Sequence, residues 1–308
     1  MRTLLSLVLA AASLGASTGT LEAQDWAKAA LEKSSRHREY VALKHGERAV
    51  QAFVVYPEVK QKAPVVLLIH EIFGLSDWAK EMADELAAQG YIVIAPDLLS
   101  GAGSRGGGTD SLGGQDNVTK AVSGLPAEQV IADLDAAAEY AKKLPAANGK
   151  LFVAGFCWGG GKSFAFATHR HDLAAAFVFY GTGPADVTSI TAPVYGFYAG
   201  NDARVGATVP ATIAAMKAAG KRYDPITYEG AGHGFMRAGE APDATAANRQ
   251  ARDQAFERMT SVINRANAGA IARSGRDRHG AVRATVSQPG AVSSPACHEV
   301  KRDMPAGA

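Results

Sequence analysis

The chain has 308 residues, 47% of them hydrophobic and 20% charged, a composition that supports a sizeable core and excludes collagen-like, coiled-coil and wholly disordered architectures. Its net charge is +2. Residues 269–308 hold six basic side chains against three acidic ones, so the remainder carries −1 and has no positive excess with which to neutralise nucleic acid.

The first element in chain order is an apolar run at 4–14, preceded by Arg2 and followed by the small residues Gly15, Ala16 and Ser17. One positive charge, a short apolar segment and a small-residue exit describe a secretory signal, too short to span a bilayer. Cleavage after Ala23 gives a segment 1–23, with Ala16 as the other candidate site. The expected location is secreted or periplasmic, without membrane association once the signal is removed.

From 24 to 268 the pattern alternates strands and helices. Apolar, β-rich runs fall at 49–56, 64–70, 91–95, 151–155, 174–180 and 194–199, with a weaker one at 223–229. Helical periodicity occupies 76–89, 126–144, 160–169, 206–219 and 243–264. Near-continuous apolar strands separated by amphipathic helices imply an α/β domain with a mostly parallel, twisted sheet covered by helices on both faces. Residues 98–125 are rich in glycine and read as a long loop bordering any pocket. Residues 269–308 show neither helical nor strand periodicity and read as a disordered, basic tail.

In such a sheet, ligands sit at the carboxyl ends of the strands. The strand at 151–155 runs into Gly155-Phe156-Cys157-Trp158-Gly159, the nucleophile-elbow pattern G-x-S-x-G with Cys at its centre. The following helix N-terminus favours a thiolate there. Two later strand ends carry Gly200-Asn201-Asp202 and Gly232-His233-Gly234-Phe235. The chain order Cys, Asp, His is that of an α/β-hydrolase triad.

With His70-Glu71-Ile72-Phe73-Gly74-Leu75 and Ala95-Pro96-Asp97-Leu98, these segments make five ordered motifs over some 200 residues, and on them the chain resembles the dienelactone hydrolase (carboxymethylenebutenolidase) family of α/β hydrolases. The resemblance implies an α/β-hydrolase fold and hydrolysis of lactones or small carboxylic esters, with Cys157 as nucleophile, His233 as general base and acid, and Asp202 orienting the imidazole. It implies that Glu71 governs ionisation of the thiol and that the backbone N–H groups of Ile72 and Trp158 form the oxyanion hole. It also implies a pair of arginines holding a substrate carboxylate. Arg237 matches one of them. Leu99-Ser100-Gly101 stands where the other is expected, and Arg105 is the nearest cation.

No cofactor and no metal are implied, and the partner is a small ester or lactone, with a monomer or small homo-oligomer expected. Other readings stay open at this point: a general esterase or thioesterase for non-anionic substrates, a catalytically idle binding protein on the same fold, or a thiol redox protein using Cys157 and Cys297, which lacks C-x-x-C spacing. Gly101 to Gly106 fits G-x-G-x-x-G, but no helix follows, and Gly161-Lys162-Ser163 lacks the first glycine of a P-loop.

Overall fold

A computed structural model of the chain describes residues 24–268. The segments read as an export signal (1–23) and a basic tail (269–308), with Cys297, lie outside the described residues.

Eight strands form one sheet in the order β1-β2-β4-β3-β5-β6-β7-β8. The first two, β1 (Arg38–His45) and β2 (Arg48–Val55), are an antiparallel hairpin, and β2 also runs antiparallel to β4 (Ile92–Pro96). From β4 onward all neighbours are parallel: β3 (Ala63–Ile69), β5 (Ala147–Phe156), β6 (Leu173–Phe179), β7 (Val194–Ala199) and β8 (Tyr223–Tyr228). β3 and β4 are buried at every residue, as expected for strands covered on both faces.

Alternate side chains along the strands divide the core in two. On one face Val65, Leu67, Ile69, Val153 and Val178 pack against Leu134 and Ala138 of α4 (Ala127–Lys143) and Phe164 of α5 (Trp158–His169). On the other, Phe156 meets the edge of Trp78 from α2 (Asp77–Ala88), and Arg258 of α9 (Ala246–Asn267) lies over Phe197. Both α2 and α9 begin at a side-chain cap, Ser76 accepting from the Ala79 N–H and Thr245 from that of Asn248.

Several elements go beyond the sequence pattern. Helix α1 (Asp25–Lys33) and strand β1 precede the expected first strand. β1 has a single buried residue, Leu43, so it lacks the apolar alternation that marks strands. The glycine-rich stretch after β4 is folded: it holds two single turns of 3₁₀ helix and then α3 (Gln115–Ser123). Asp97 organises it by accepting hydrogen bonds from the backbone N–H groups of Leu99 and Thr109 and from the Thr109 hydroxyl, while Thr109 Oγ1 accepts from the Leu75 N–H. The loop after β4 is thereby tied to the loop after β3.

Candidate active site

Cys157 sits between β5 and α5 at φ 56°, ψ −117°, a conformation that costs energy for any residue with a Cβ. The turn is closed by the Cys157 N–H donating to Phe179 O at 3.0 Å and held tight by glycines. A Cβ on Gly155 would stand 2.0 Å from the Gly159 carbonyl oxygen, and one on Gly160 would stand 2.4 Å from that of Phe179. The strained turn lifts the thiol off the sheet at the first turn of α5.

His233 follows β8 in a loop fixed from several sides. The Gly232 N–H donates to Asn248 Oδ1 at 2.8 Å, the Asn201 N–H to Ala231 O at 2.9 Å, and the Tyr180 ring packs T-shaped with the imidazole, centroids 5.0 Å apart. The imidazole bridges two partners. Its Nε2 lies 3.1 Å from Cys157 Sγ, and its Nδ1 lies 2.5 Å from Asp202 Oδ2. Asp202 caps the short helix α6 (Ala203–Gly206) through its other oxygen, which accepts from the Val205 N–H at 3.2 Å. Both carboxylate oxygens are thus held, and the imidazole is held with them.

Glu71, after β3, is buried between two donors. The Tyr180 hydroxyl donates to Oε1 at 3.2 Å and Arg237 Nε donates to Oε2 at 2.9 Å. Arg237 comes from the helical turn α8 (Phe235–Ala238), with its guanidinium 4.9 Å over the Phe73 ring. Burial works against the arginine's charge, but the adjacent carboxylate more than offsets it and holds Arg237 above its ordinary range. The Cys157 thiol is pushed up, first by burial and next by the negative charge of Glu71. The backbone N–H groups of Trp158 and Ile72, both directed at the sulfur, and the charge of Arg204 act in the opposite direction. At rest the Cys157 side chain is therefore the thiol, with burial and nearby charge both acting on its ionisation.

The structure brings Cys157, His233, Asp202, Glu71, Ile72 and Trp158 together. It also places beside them a residue to which the sequence assigned no role. His70, fully buried, lies at hydrogen-bonding distance from the Glu71 carbonyl through Nδ1 (2.7 Å) and stacks on the Trp158 ring at 5.7 Å with a 10° interplanar angle. Its position in the segment before Ile72 was the available signal.

Ile72, Cys157 and Trp158 face a cavity of about 490 Å³ that extends over α5 and α6. Arg237 does not line this cavity; it lines a separate hollow with Trp26 and Asp243, though its charge and that of Cys157 act on each other. Arg105 occupies an exposed turn and lines neither. The glycine-rich segment acts from behind the cavity: Leu99, Val118 and Val122 form a small apolar cluster against Ile72 and Trp158. Among the described residues, one group of three side chains has the spacing of an ion site: Glu81, Glu85 and Glu240. Arg252 already pairs with Glu85 and Glu240, and the Trp78 indole donates to the remaining Glu240 oxygen at 2.7 Å.

The family model described as the dienelactone hydrolase family matches residues 50–267. A provisionally named carboxymethylenebutenolidase of Methylorubrum extorquens is 34% identical over 200 residues, covering 60% of this chain and 68% of its own. The carboxymethylenebutenolidase of Pseudomonas putida is 31% identical over 187 residues, 58% of this chain and 77% of its own. Among solved structures, a provisionally named dienelactone hydrolase of Klebsiella pneumoniae superposes with a TM-score of 0.65 at 26% identity, covering 75% of this chain and 99% of that one.

Proposed function

Because the chain belongs to the dienelactone hydrolase family, within the α/β-hydrolase superfamily, and is a hydrolase of ester bonds, we propose that it cleaves lactones or small carboxylic esters by nucleophilic catalysis at Cys157. The observation that carries this reading is the unbroken chain Asp202–His233–Cys157, with contacts of 2.5 and 3.1 Å, at a strained elbow where two backbone N–H groups converge on the sulfur.

The chemistry follows from the geometry. His233 Nε2 takes the thiol proton as sulfur attacks the substrate carbonyl, and Asp202 stabilises the imidazolium through Nδ1–H. The carbonyl oxygen becomes an oxyanion between the N–H groups of Ile72 and Trp158, each such donor contributing roughly 3 kcal/mol. Collapse expels the alkoxide, which takes the proton from His233. In a lactone the departing oxygen stays tethered to the acyl group. Water activated by the same imidazole then hydrolyses the thioester and regenerates the thiol.

Glu71 sets when the thiol ionises. Its charge opposes thiolate formation, and Arg237 neutralises part of that charge. We also propose export directed by residues 1–23, for which N-terminal sequencing of protein recovered from the medium or periplasm is the test; a chain still starting at Met1 would overturn it.

The catalytic reading is tested by assaying an activated acetate ester, a short-chain thioester and a dienelactone with wild type and Cys157→Ala. Hydrolysis of an oxygen ester that disappears in the variant is expected. Equal rates in the two proteins would remove Cys157 from the mechanism.

A further inference from the structure

The cavity beside Cys157 carries a charge that the hydrolytic machinery does not use. Two of its lining residues are cationic, Lys162 and Arg204, and none is Asp or Glu. Lys162 lies on α5, just over one turn beyond the nucleophile, half-buried, with Nζ 5.0 Å from the centre of the Trp158 ring. Arg204 lies on α6, two residues after Asp202, and its charge reaches the Cys157 sulfur. Among the described residues neither has a carboxylate partner; Arg38, Arg105, Arg222, Arg249 and Arg265 are in no ion pair either, but none of those lines this cavity. Arg237, the cation expected to hold a substrate carboxylate, donates through Nε to Glu71 and lines another hollow, although its charge too interacts with Cys157.

A packing role accounts for Lys162 in part, since an ammonium over an indole face is favourable. It leaves unexplained why a second cation converges on the same cavity from another element with no acid between them. Burial lowers the Lys162 pKa, the mark of an ammonium short of a counter-ion. An anion in the cavity would supply one.

We propose that Lys162 and Arg204 form an anion-binding subsite, so that the preferred substrates are esters or lactones whose carboxylate, or equivalent anionic group, extends from the reacting carbonyl toward α5 and α6. The substrate assignment rests on hydrolysis at Cys157, but the subsite itself is testable without turnover.

The first experiment compares two ester pairs, 4-nitrophenyl hydrogen succinate with 4-nitrophenyl butyrate and 4-acetoxybenzoate with phenyl acetate, which place the charge on the acyl or the leaving side. Wild type is expected to prefer the anionic member of one pair. Lys162→Met and Arg204→Met should each lower that preference, as the ratio of kcat/KM values, about tenfold, the loss of one charge-assisted contact. Added salt should lower it as well. A ratio unchanged in both variants, or a preference abolished by Arg237→Met alone, would overturn the subsite. The second experiment measures binding of monomethyl succinate to Cys157→Ala by calorimetry. Weaker binding when either cation is also replaced supports the proposal, and equal affinity in all three proteins overturns it, whatever becomes of the nucleophile assignment.

Discussion

The proposed oxyanion hole offers the sharpest test, because a single side chain contacts the backbone beside one of its donors and the indole ring of the residue that supplies the other. His70 Nδ1 lies 2.7 Å from the Glu71 carbonyl, which shares a peptide plane with the Ile72 N–H, and the His70 ring stacks on Trp158, whose own N–H is the second donor. A carbonyl only accepts, so Nδ1 carries the proton; burial lowers the His70 pKa and keeps the ring neutral, and among the described residues Nε2 has no hydrogen-bond partner. His70→Phe keeps the ring and the stacking but deletes the donor. The carbonyl keeps the Gly74 N–H at 3.2 Å, so losing the shorter bond from His70 costs about 1 kcal/mol and frees the Glu71–Ile72 peptide to turn the Ile72 N–H away from the oxyanion. Complete loss of that donor would remove roughly 3 kcal/mol of transition-state stabilisation; with the peptide loosened by about 1 kcal/mol, kcat should fall about five- to tenfold with KM nearly unchanged. Affinity for an aldehyde that forms a tetrahedral adduct should fall in parallel. His70→Gln, which restores an N–H donor, should recover part of the rate. A His70→Phe enzyme that loses thermal stability but keeps kcat within about threefold of wild type would refute this coupling and leave His70 a core residue only.

Glu71→Gln removes the charge that opposes thiolate formation, so the Cys157 pKa should move down and the pH profile of iodoacetamide alkylation should shift toward acid; an alkaline shift would contradict the electrostatic assignment. Asp133 is fully buried and held by Arg48 at 2.9 Å and His45 at 2.5 Å, so Arg48→Leu should destabilise the fold by about 3–5 kcal/mol in urea unfolding, and a loss below about 1 kcal/mol would show the pair to be dispensable. The Glu81 carboxyl, beside Glu240 and with Oε2 unpartnered, is raised to about 10, mainly by burial. The folded state therefore binds a proton that the unfolded state has released above pH ~4.5, and stability should decline as pH rises from there toward 10, by up to about 1.4 kcal/mol per unit. Glu81→Gln should flatten that profile, and a decline identical in variant and wild type would assign it elsewhere.

How much of this was legible in the sequence depended on whether the forming element carried its own signal. β3 and β4 are apolar at nearly every position because both faces are covered, and the segment from Val65 to Ile69 admits little else. β1 pairs with a single neighbour at the sheet edge, and residues such as Arg38, Glu39 and Lys44 hide its alternation. The glycines between 101 and 114 suggested an open loop; its order comes from Asp97, which gathers Leu99 and Thr109 across a separation that no local periodicity records.

The same division runs through the candidate site. Cys157, Asp202 and His233 are announced by the turns that present them, since the backbone at each strand end restricts which residues can flank it, and those flanking glycines are what a motif records. Lys162 and Arg204 have no such frame. One is a helical residue and the other an exposed position after a cap, and nothing in their flanks distinguishes them from solvated surface charges. Arg237 is the reverse case. Its place after the His233 segment marked it for a substrate, yet a buried Glu71 takes its Nε, and the guanidinium does not line the cavity beside Cys157. A motif thus reports the backbone that reaction chemistry requires, while charge complementarity toward substrate depends on which cations the core has already neutralised. On that reasoning, specificity in this chain should follow the unpaired cations of the cavity, and the double variant Lys162→Met/Arg204→Met should lose the preference for anionic esters while its rate on phenyl acetate, which depends on the elbow, stays near that of wild type.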